Sequence, residues 1–454
     1  MVPQSSLTEA IDMFSHIKGA IQSKPRYVAL SHCWGETDPD RRPSHCTTRE
    51  NLETRQKGFR LSELPKTFRD AITITRQLGI QYLWIDSLCI IQGPDGDWEK
   101  ESKRMEQVFA SAYCTIAATS AKDSDAGFLN QPVDDNQSIY VQHPPGQYIY
   151  VSTNVADFHT DVDLANLNKR AWVMQERLLS PRTIHFSRNK VYGECGEEVY
   201  TGDYIFLRSE EHSQNYFKLD PDFPNRLSVS GIAATSHFLQ TLLEDYTGRG
   251  ISNATDRSVA ISGLMARIGD VLPCSIHHGI VEWYLQRTLL WQRSLDSKIK
   301  KMEKIPYKSV KVPSWSWMAF EGAVEFVLDK FDGLNVIKDI TFNAEVLTTT
   351  VWEFTESCII TEEERNGVRH QVLNKMGSSK GVINIDEEDK EAGLPTVQYV
   401  VVLAHRRRIQ SDCLLYFVLF VRPLIKGDGY ERFGMGMLRA DCGLKKKVEK
   451  GHIF

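Results

Sequence analysis

The sequence is poor in the patterns that mark several large classes of protein. Its nine cysteines are scattered and include no Cys-x-x-Cys pair, which argues against a zinc ribbon or a dithiol redox centre and suits a reducing compartment. Glycine-rich loops of the phosphate-binding kind are missing. The longest uncharged apolar run, Cys413 to Val421, is about half the length that a transmembrane helix needs. We therefore predict no membrane span.

An excess of positive charge is also missing. The chain has 54 basic and 59 acidic residues and a formal net charge of -5, so it lacks a general attraction for the phosphates of nucleic acid. We predict no nucleic-acid partner. The first twenty residues interrupt their apolar positions with Glu9, Asp12 and Lys18, unlike a secretion signal. Together with the cysteine pattern, this favours a cytoplasmic location.

Composition places the chain among ordinary globular proteins. It is 41% hydrophobic and 25% charged, and its 454 residues exceed what one compact core usually holds. Two or three domains are therefore expected.

The N-terminal third alternates between strand and helix patterns. The sequence predicts short buried strands at Tyr27 to Ser31, Tyr82 to Ile85 and Thr115 to Ala118. Between them, apolar residues at three- and four-residue spacing predict one helix that ends at Gly79 and a second that is capped by Asp97. Strands that alternate with helices in this way indicate an α/β domain built on a parallel sheet.

The rest of the chain shows a different pattern. A hairpin and several helices are predicted first, and alternating apolar segments near the C-terminus predict an antiparallel sheet. The fold class is thus α/β in the N-terminal domain, followed by a mixed α+β region. The predicted division is an N-terminal extension at 1–26, a parallel α/β domain at 27–165, a mainly helical region with a hairpin at 166–325, and a β-rich region at 326–454.

Candidate ligand-binding residues follow from the predicted sheet. In open parallel sheets, ligands bind where the carboxyl ends of the strands and the starts of the following helices converge. Ser31 and Trp34 follow the first strand, Asp86 follows the second, and Trp98 and Glu101 lie at the start of the second helix. Glu101 comes three residues after Trp98, so helical geometry predicts that its carboxylate lies on the apolar, inward face.

Four of these residues also have a purely structural interpretation. Glu101 in a first helical turn is stabilised by the helix dipole and can simply end in solvent. Asp86 after a strand commonly caps a turn. Trp34 and Trp98 are either core aromatics or walls against which a planar ligand stacks.

Cysteine and histidine chemistry is disfavoured. His32 and Cys33 are neighbours on a strand and point to opposite faces, so they do not form a nucleophile and base pair. Adding His45 and Cys46 does not produce the ligand spacing of a zinc site. We predict no bound metal.

Several motifs resemble the fungal heterokaryon incompatibility (HET) domain. The first reads Tyr-Val-Ala-Leu-Ser-His-Cys-Trp-Gly from Tyr27 to Gly35. Matching segments follow in the family's order, and they are Leu64 to Ile72, Tyr82 to Gln92, Asp97 to Met105 and Thr115 to Gly127, with further resemblances at Arg170 to Ser180 and Pro313 to Trp317.

The resemblance implies a protein of heterokaryon incompatibility and programmed cell death, with protein partners of non-self recognition and a homo-oligomeric form. HET domains are similar to TIR domains, which have a flavodoxin-like parallel sheet and some of which cleave NAD at the nicotinamide-ribose bond. By that similarity Glu101 would be the catalytic residue and NAD or a related nucleotide the substrate, with no separate cofactor. The binding residues would be Ser31, Trp34, Asp86 and Trp98.

Two other functions stay open. The same surface would serve a non-enzymatic death-signalling module, in which Glu101 is an ordinary acid at a helix start. A metabolic enzyme recruited from this scaffold is the third interpretation, because a fold does not determine a function.

Overall fold

The computed structural model divides the chain into two compact units. The first contains residues 1–223 with 259–264, and the second contains 224–258 with 265–454. The residues that the structure describes are 26–35, 43–129, 138–143, 147–152, 157–195, 198–201, 225–294, 302–308, 310–327, 334–361, 369–386, 397–407, 414–425 and 427–454.

The first unit combines strands with helices. Its strands are β1 (Tyr27–Ser31), β2 (Tyr82–Trp84), β3 (Cys114–Ala117), β4 (Ser138–His143), β5 (Gln147–Ser152), β6 (Arg182–Phe186), β7 (Val191–Cys195) and β8 (Glu198–Thr201). Its α-helices are α1 (Leu52–Gln56), α2 (Lys66–Gln77), α3 (Asp86–Cys89), α4 (Trp98–Glu101), α5 (Met105–Ser111) and α6 (Ala171–Leu179). Shorter 3-10 or π turns lie at Leu61–Glu63, Ser102–Arg104, His159–Asp163 and Leu167–Lys169.

Six strands of this unit form one mixed sheet, in the order β2-β1-β3-β6-β7-β8. The first four are parallel, as predicted, and β7 and β8 add to them in antiparallel orientation. The prediction of a wholly parallel sheet was therefore too simple. The reason is the short connection of residues 187–190 between β6 and β7, since so few residues join only antiparallel neighbours.

Strand β1 separates two cores because successive side chains point to opposite faces. Val28 and Leu30 pack on the side of Phe68 from α2. Ala29 packs on the other side with Met105 and other residues of the α4 to α5 segment. The parallel part of the sheet is thus covered on both faces, as a parallel sheet requires.

The helix predicted after Asp97 is interrupted. It forms as α4, a 3-10 turn over Ser102–Arg104, and α5. Asp97 was predicted to cap this helix, but its side chain makes no capping hydrogen bond. Its Oδ1 instead accepts a hydrogen bond of 2.7 Å from the backbone N–H of Ile91. The carboxylate therefore fixes the loop that enters the helix.

The second unit is mostly β-structure, in agreement with the predicted β-rich C-terminal region. Its helices are α7 (Gly231–Gly248), α8 (Ser262–Val271, of which residues 262–264 belong to the first unit) and α9 (Leu285–Leu289), with 3-10 turns at Asn225–Ser228, Ala254–Arg257, Glu282–Tyr284, Trp317–Ala319 and Ala440–Cys442. Its shorter strands are β9 (Ile276–His277), β10 (Ile280–Val281), β11 (Trp291–Arg293), β12 (Glu303–Lys304), β13 (Phe320–Glu321), β14 (Val324–Phe326), β15 (Leu334–Val336) and β16 (Ile340–Phe342). The remaining strands are β17 (Leu347–Thr361), β18 (Arg369–Leu373), β19 (Ser379–Ile385), β20 (Val397–Arg407), β21 (Leu414–Pro423), β22 (Tyr430–Arg439) and β23 (Leu444–Ile453).

Six strands of this unit close into a ring of antiparallel pairs. The ring runs β17-β20-β21-β22-β19-β18 and returns to β17. Branched and aromatic side chains such as Val400, Val418 and Phe420 form its core.

A buried ion pair belongs to this second unit. Arg432 on β22 donates to both carboxylate oxygens of Asp386, at 2.8 and 3.1 Å, and to the backbone oxygens of Leu289 and Trp291. Its guanidinium carbon lies 3.4 Å from the ring centre of Trp291. A buried charge with its hydrogen bonds satisfied in this way is tolerated, whereas an unpaired one is not.

Candidate functional site

Polar and charged side chains converge where β1 and β2 end. We call this group the strand-end cluster, and it consists of Ser31, His32, Trp34, Asp86, Arg170 and Glu176. It lies at the carboxyl edge of the parallel strands, where the sequence predicts ligand binding.

Glu176 reaches the cluster from α6. The hydroxyl of Ser31, the last residue of β1, donates to Oε2 of Glu176 over 2.5 Å. Glu176 is only 7% exposed. Burial raises the pKa of its carboxyl group to about 7, although the Ser31 hydrogen bond and the positive charge of Arg170 both oppose the shift. Glu176 can therefore take up or release a proton near neutral pH.

Asp86 begins α3 at the end of β2. Its Oδ2 accepts a hydrogen bond of 2.8 Å from the indole of Trp34, and its Oδ1 accepts one of 2.6 Å from the backbone N–H of Ser87. Burial raises the pKa of Asp86, and these two hydrogen bonds oppose the rise. The turn that carries Trp34 needs glycine at position 35, since φ is +95° and a Cβ there would lie 2.8 Å from Cβ of Asp123.

His32 is buried beside Asp86. Its ring packs edge-on against Phe68, with the ring centres 5.1 Å apart, and Arg170 donates to its backbone oxygen over 2.5 Å. Within the part of the chain that the structure describes, neither ring nitrogen of His32 has a hydrogen-bond partner. Burial, together with the positive charges of Arg170 and His45, lowers the pKa of His32 to about 3, so the ring is neutral at physiological pH.

This arrangement is suited to reactions that develop positive charge. Asp86 and Glu176 are acids with raised pKa values, and Arg170 is the cation that favours the ionised form of both. One carboxylate can stabilise a cationic centre while the other accepts a proton from water.

Glu101 has its contacts elsewhere. Its carboxylate oxygens lie 3.0 and 3.3 Å from the guanidinium of Arg104, and the ammonium of Lys100 is 3.9 Å away. Its side chain is 23% exposed. The charge of Glu101 is thus neutralised along its own helical segment, and no hydrogen bond or ion pair between described residues joins Glu101 to the strand-end cluster.

Of the predicted binding residues, Ser31, Trp34 and Asp86 belong to the cluster. Trp98 packs in the core formed by α4 and α5, with its ring centre 5.4 Å from that of Trp172. Trp172 precedes Glu176 by one turn on α6, so Trp98 contacts the helix that carries Glu176.

Sequence reasoning assigned no role to Arg170 or Glu176. Both lie in the segment Arg170 to Ser180, which carries a resemblance but follows the parallel strands at a distance along the chain. The sequence nonetheless contains an indication that Glu176 is unusual. Glu176 is an acid among the mostly buried residues of a short apolar helix, and an acid in that setting needs a partner.

Thiol and metal chemistry gain no support. Cys33 is buried and, because of that burial, the pKa of its thiol is raised, which disfavours the nucleophilic thiolate. Among the residues that the structure describes, no group of three or more His, Cys, Asp or Glu side chains is arranged to hold a metal ion. No helix within the described ranges has the length and apolar character needed to cross a membrane.

A second buried network flanks α6. Arg177 donates to both carboxylate oxygens of Glu194, at 2.7 and 2.9 Å, and to Asp163 at 2.7 Å. The Nε2 atom of His185 lies 2.8 Å from Glu194. The Arg177 charge holds the pKa of Glu194 at about 2 despite burial. We interpret this network as structural, since it ties α6, one residue beyond Glu176, to the β6–β7 hairpin.

Comparison with known proteins identifies the module that contains the cluster. Residues 27–176 match the family model described as heterokaryon incompatibility protein (HET). No curated protein and no solved structure matches the chain. The matched segment begins at β1 and includes every residue of the strand-end cluster, Arg170 and Glu176 among them. The strand-end cluster therefore lies within a segment, residues 27–176, that is similar to the HET family.

Proposed function

We propose that this heterokaryon incompatibility-type protein is a cell-death effector whose HET domain hydrolyses the nicotinamide-ribose bond of NAD at the strand-end cluster. The observation that carries the proposal is Glu176, a buried acid with a pKa of about 7 that is held by Ser31 at the carboxyl edge of parallel strands. Perturbed acids of this kind concentrate at functional sites. The strand order β2-β1-β3-β6 is also consistent with a TIR-like sheet.

The proposed reaction uses two carboxylates. The bond between ribose C1′ and the ring nitrogen of nicotinamide breaks, and its electron pair leaves with nicotinamide, which departs as a neutral molecule. Asp86 stabilises the positive charge that develops at C1′. Water then adds to C1′ and gives its proton to ionised Glu176, which Ser31 orients. The products are nicotinamide, ADP-ribose and one proton.

Glu101 is the competing catalytic residue. It occupies the helix start beside Trp98 that the TIR comparison selects, and it stays a candidate on that ground. Its pairing with Arg104 favours the ordinary structural role, because a carboxylate that is neutralised by a neighbouring guanidinium is less available to a developing cation.

The cellular setting is part of the proposal. The described cysteines are free thiols, which supports action in a reducing compartment such as the cytoplasm. Protein partners of non-self recognition, or association of copies of this chain, would switch the activity on.

A second candidate function is a non-enzymatic death-signalling module. It is favoured by the internal hydrogen bonds of the cluster, since Ser31 to Glu176 and Arg170 to the His32 backbone also serve to lock α6 onto β1. Under that interpretation the cluster holds α6 against β1 and so stabilises a surface that recruits partners.

Nicotinamide release from NAD by the purified full chain tests the proposal, with and without forced dimerisation through a fused domain. We expect Glu176→Gln and Asp86→Asn to lower the rate by roughly a hundredfold or more, the scale for removing one electrostatic group from a reaction centre. Glu101→Gln is the matched control and should retain activity.

Each other outcome is informative. Loss of activity in Glu101→Gln but not in Glu176→Gln would move the reaction centre to the start of α4. If no nicotinamide is released in either form, while Glu176→Gln still kills host cells as the wild type does, the signalling module replaces the enzyme.

A further inference from the structure

His32 has a feature that the proposed reaction does not use. It is a buried side chain in the strand-end cluster, and both of its ring nitrogens lack a hydrogen-bond partner among the described residues. We infer that the imidazole of His32 is a ligand-binding group that holds a hydroxyl of the substrate ribose together with Asp86. This inference rests on the proposed function and adds to it the residue that recognises the sugar.

The unpartnered nitrogens are the first argument. Buried polar atoms in folded proteins are nearly always hydrogen-bonded, because leaving one without a partner forfeits its hydration. Of the two nitrogens, Nδ1 lies beside Asp86 at the carboxyl edge of the sheet, which is where a ligand atom would supply its partner. By contrast, His185 in the same sheet is equally buried, and its Nε2 is engaged by Glu194 at 2.8 Å.

The distance to Asp86 is the second argument. Nδ1 of His32 lies 3.9 Å from Oδ1 of Asp86, which is too far for a direct hydrogen bond. It is close enough for one hydroxyl oxygen to contact both groups. That hydroxyl would accept from the imidazole N–H and donate to the carboxylate, so it matches both partners with a single atom.

The charged groups around His32 favour an uncharged ligand group. His32 is neutral because burial holds its pKa at about 3, and Asp86 and Glu176 face the same cluster as acids. Arg170 is the facing cation, but it already donates to the His32 backbone oxygen. The two carboxylates would repel a phosphate, whereas a hydroxyl can donate a hydrogen bond to a carboxylate. A primary carboxamide offers the same donor and acceptor, so the test must separate ribose from nicotinamide.

The test titrates ADP-ribose and, separately, nicotinamide into the full chain by calorimetry. His32→Phe keeps the edge contact with Phe68 and removes both nitrogens. We expect it to weaken ADP-ribose binding about tenfold or more and to leave nicotinamide binding unchanged. His32→Gln, which restores one polar end, should recover part of the affinity. The melting temperature of free His32→Phe should stay level or rise, because two unpartnered polar atoms are removed.

A structural role would give the opposite pattern. His32→Phe would then lower the melting temperature and leave ADP-ribose affinity unchanged, as we expect for the control His185→Gln, which breaks an existing hydrogen bond. A fall in nicotinamide affinity alone would assign the ring to the carboxamide and overturn the ribose assignment. In wild-type protein labelled with 15N-histidine, ADP-ribose must also shift the ring-nitrogen resonances of one neutral histidine, a result that needs no variant to fold.

The two proposals fail separately. Wild-type protein that does not bind ADP-ribose overturns the His32 inference, whether or not NAD is cleaved. Binding that depends on His32, with no release of nicotinamide from NAD, overturns the hydrolase and keeps the ribose site.

Discussion

The hydroxyl oxygen of Ser31 lies 2.5 Å from Oε2 of Glu176, a residue 145 positions later in the chain. This hydrogen bond joins the end of β1 to α6. It favours the ionised form of Glu176, yet burial outweighs it and holds the pKa at about 7. The carboxyl group is therefore kept in the folded chain at a cost in stability above neutral pH, which is typical of a group retained for function.

The first prediction concerns stability and pH. Burial raises the pKa of Glu176 from 4.5 to about 7, so the folded chain binds this proton more tightly than the unfolded chain does. The contribution of Glu176 to the free energy of unfolding then falls as pH rises from about 4.5 to 7. Glu176→Gln removes that loss and should stabilise the protein at pH 8 by up to roughly 3 kcal/mol, with little change at pH 4.5.

Denaturant unfolding of the full chain at both pH values measures the difference between variant and wild type. Glu101→Gln provides the control, because Glu101 is partly exposed and paired with Arg104. Glu176→Gln that destabilises at pH 8 would mean that the hydrogen bond from Ser31 outweighs the burial of the charge.

The second prediction concerns Arg170. Its positive charge favours the ionised forms of Asp86 and Glu176, so Arg170→Gln should raise the pKa of Glu176 further. If ionised Glu176 accepts the proton from water, the pH profile of nicotinamide release should move to higher pH. Arg170→Lys keeps the charge and should move it less. An unchanged profile in Arg170→Gln would separate Glu176 from the rate.

The third prediction concerns the network beside α6. The side chains of Arg177 and Glu194 are 7% and 8% exposed. Arg177→Met leaves Glu194 as a buried charge without its main partner and should destabilise the protein by about 3 to 5 kcal/mol. The double variant Arg177→Met with Glu194→Gln should recover part of this loss, as measured by thermal unfolding. Equal losses in the single and double variants would rule out the charge as the cause.

The fourth prediction concerns the second unit. Arg432 and Asp386 are 0% and 1% exposed, and Arg432→Met should lower stability by about 3 to 5 kcal/mol because Asp386 loses its cation. The matched control is Arg422→Met on β21. Arg422 pairs with Glu431 at 2.7 Å, but its side chain is 49% exposed, so the loss should stay below about 1 kcal/mol. Similar losses in both variants would contradict the role assigned to burial.

Local pattern was enough to predict the parallel strands and much of the cluster. β1 forms over Tyr27–Ser31 as predicted, because a short run of apolar residues is bounded by polar and glycine residues. Ser31 and Asp86 were identified because the carboxyl ends of parallel strands share one edge. The position of a residue at the end of a strand was therefore enough to identify these two residues, without knowledge of distant contacts.

Local sequence pattern did not predict the surroundings of a side chain where a distant segment of the chain packs against it. The sequence places Glu176 on a short helix but does not show that this side chain meets Ser31 at the end of β1. Glu101 is different, because its partner Arg104 lies three residues away and that pairing could have been read from the sequence.

By itself, the sequence determined the similarity of residues 27–176 to the HET family, three of the four parallel strands and the β-rich C-terminal region, because motifs and hydrophobic periodicity are local properties of the chain. Only the tertiary structure decided which acid is buried at the strand ends. The pKa of Glu176 and the unpartnered nitrogens of His32 arise from the loss of water around them, and which groups lose water depends on contacts between segments more than a hundred residues apart.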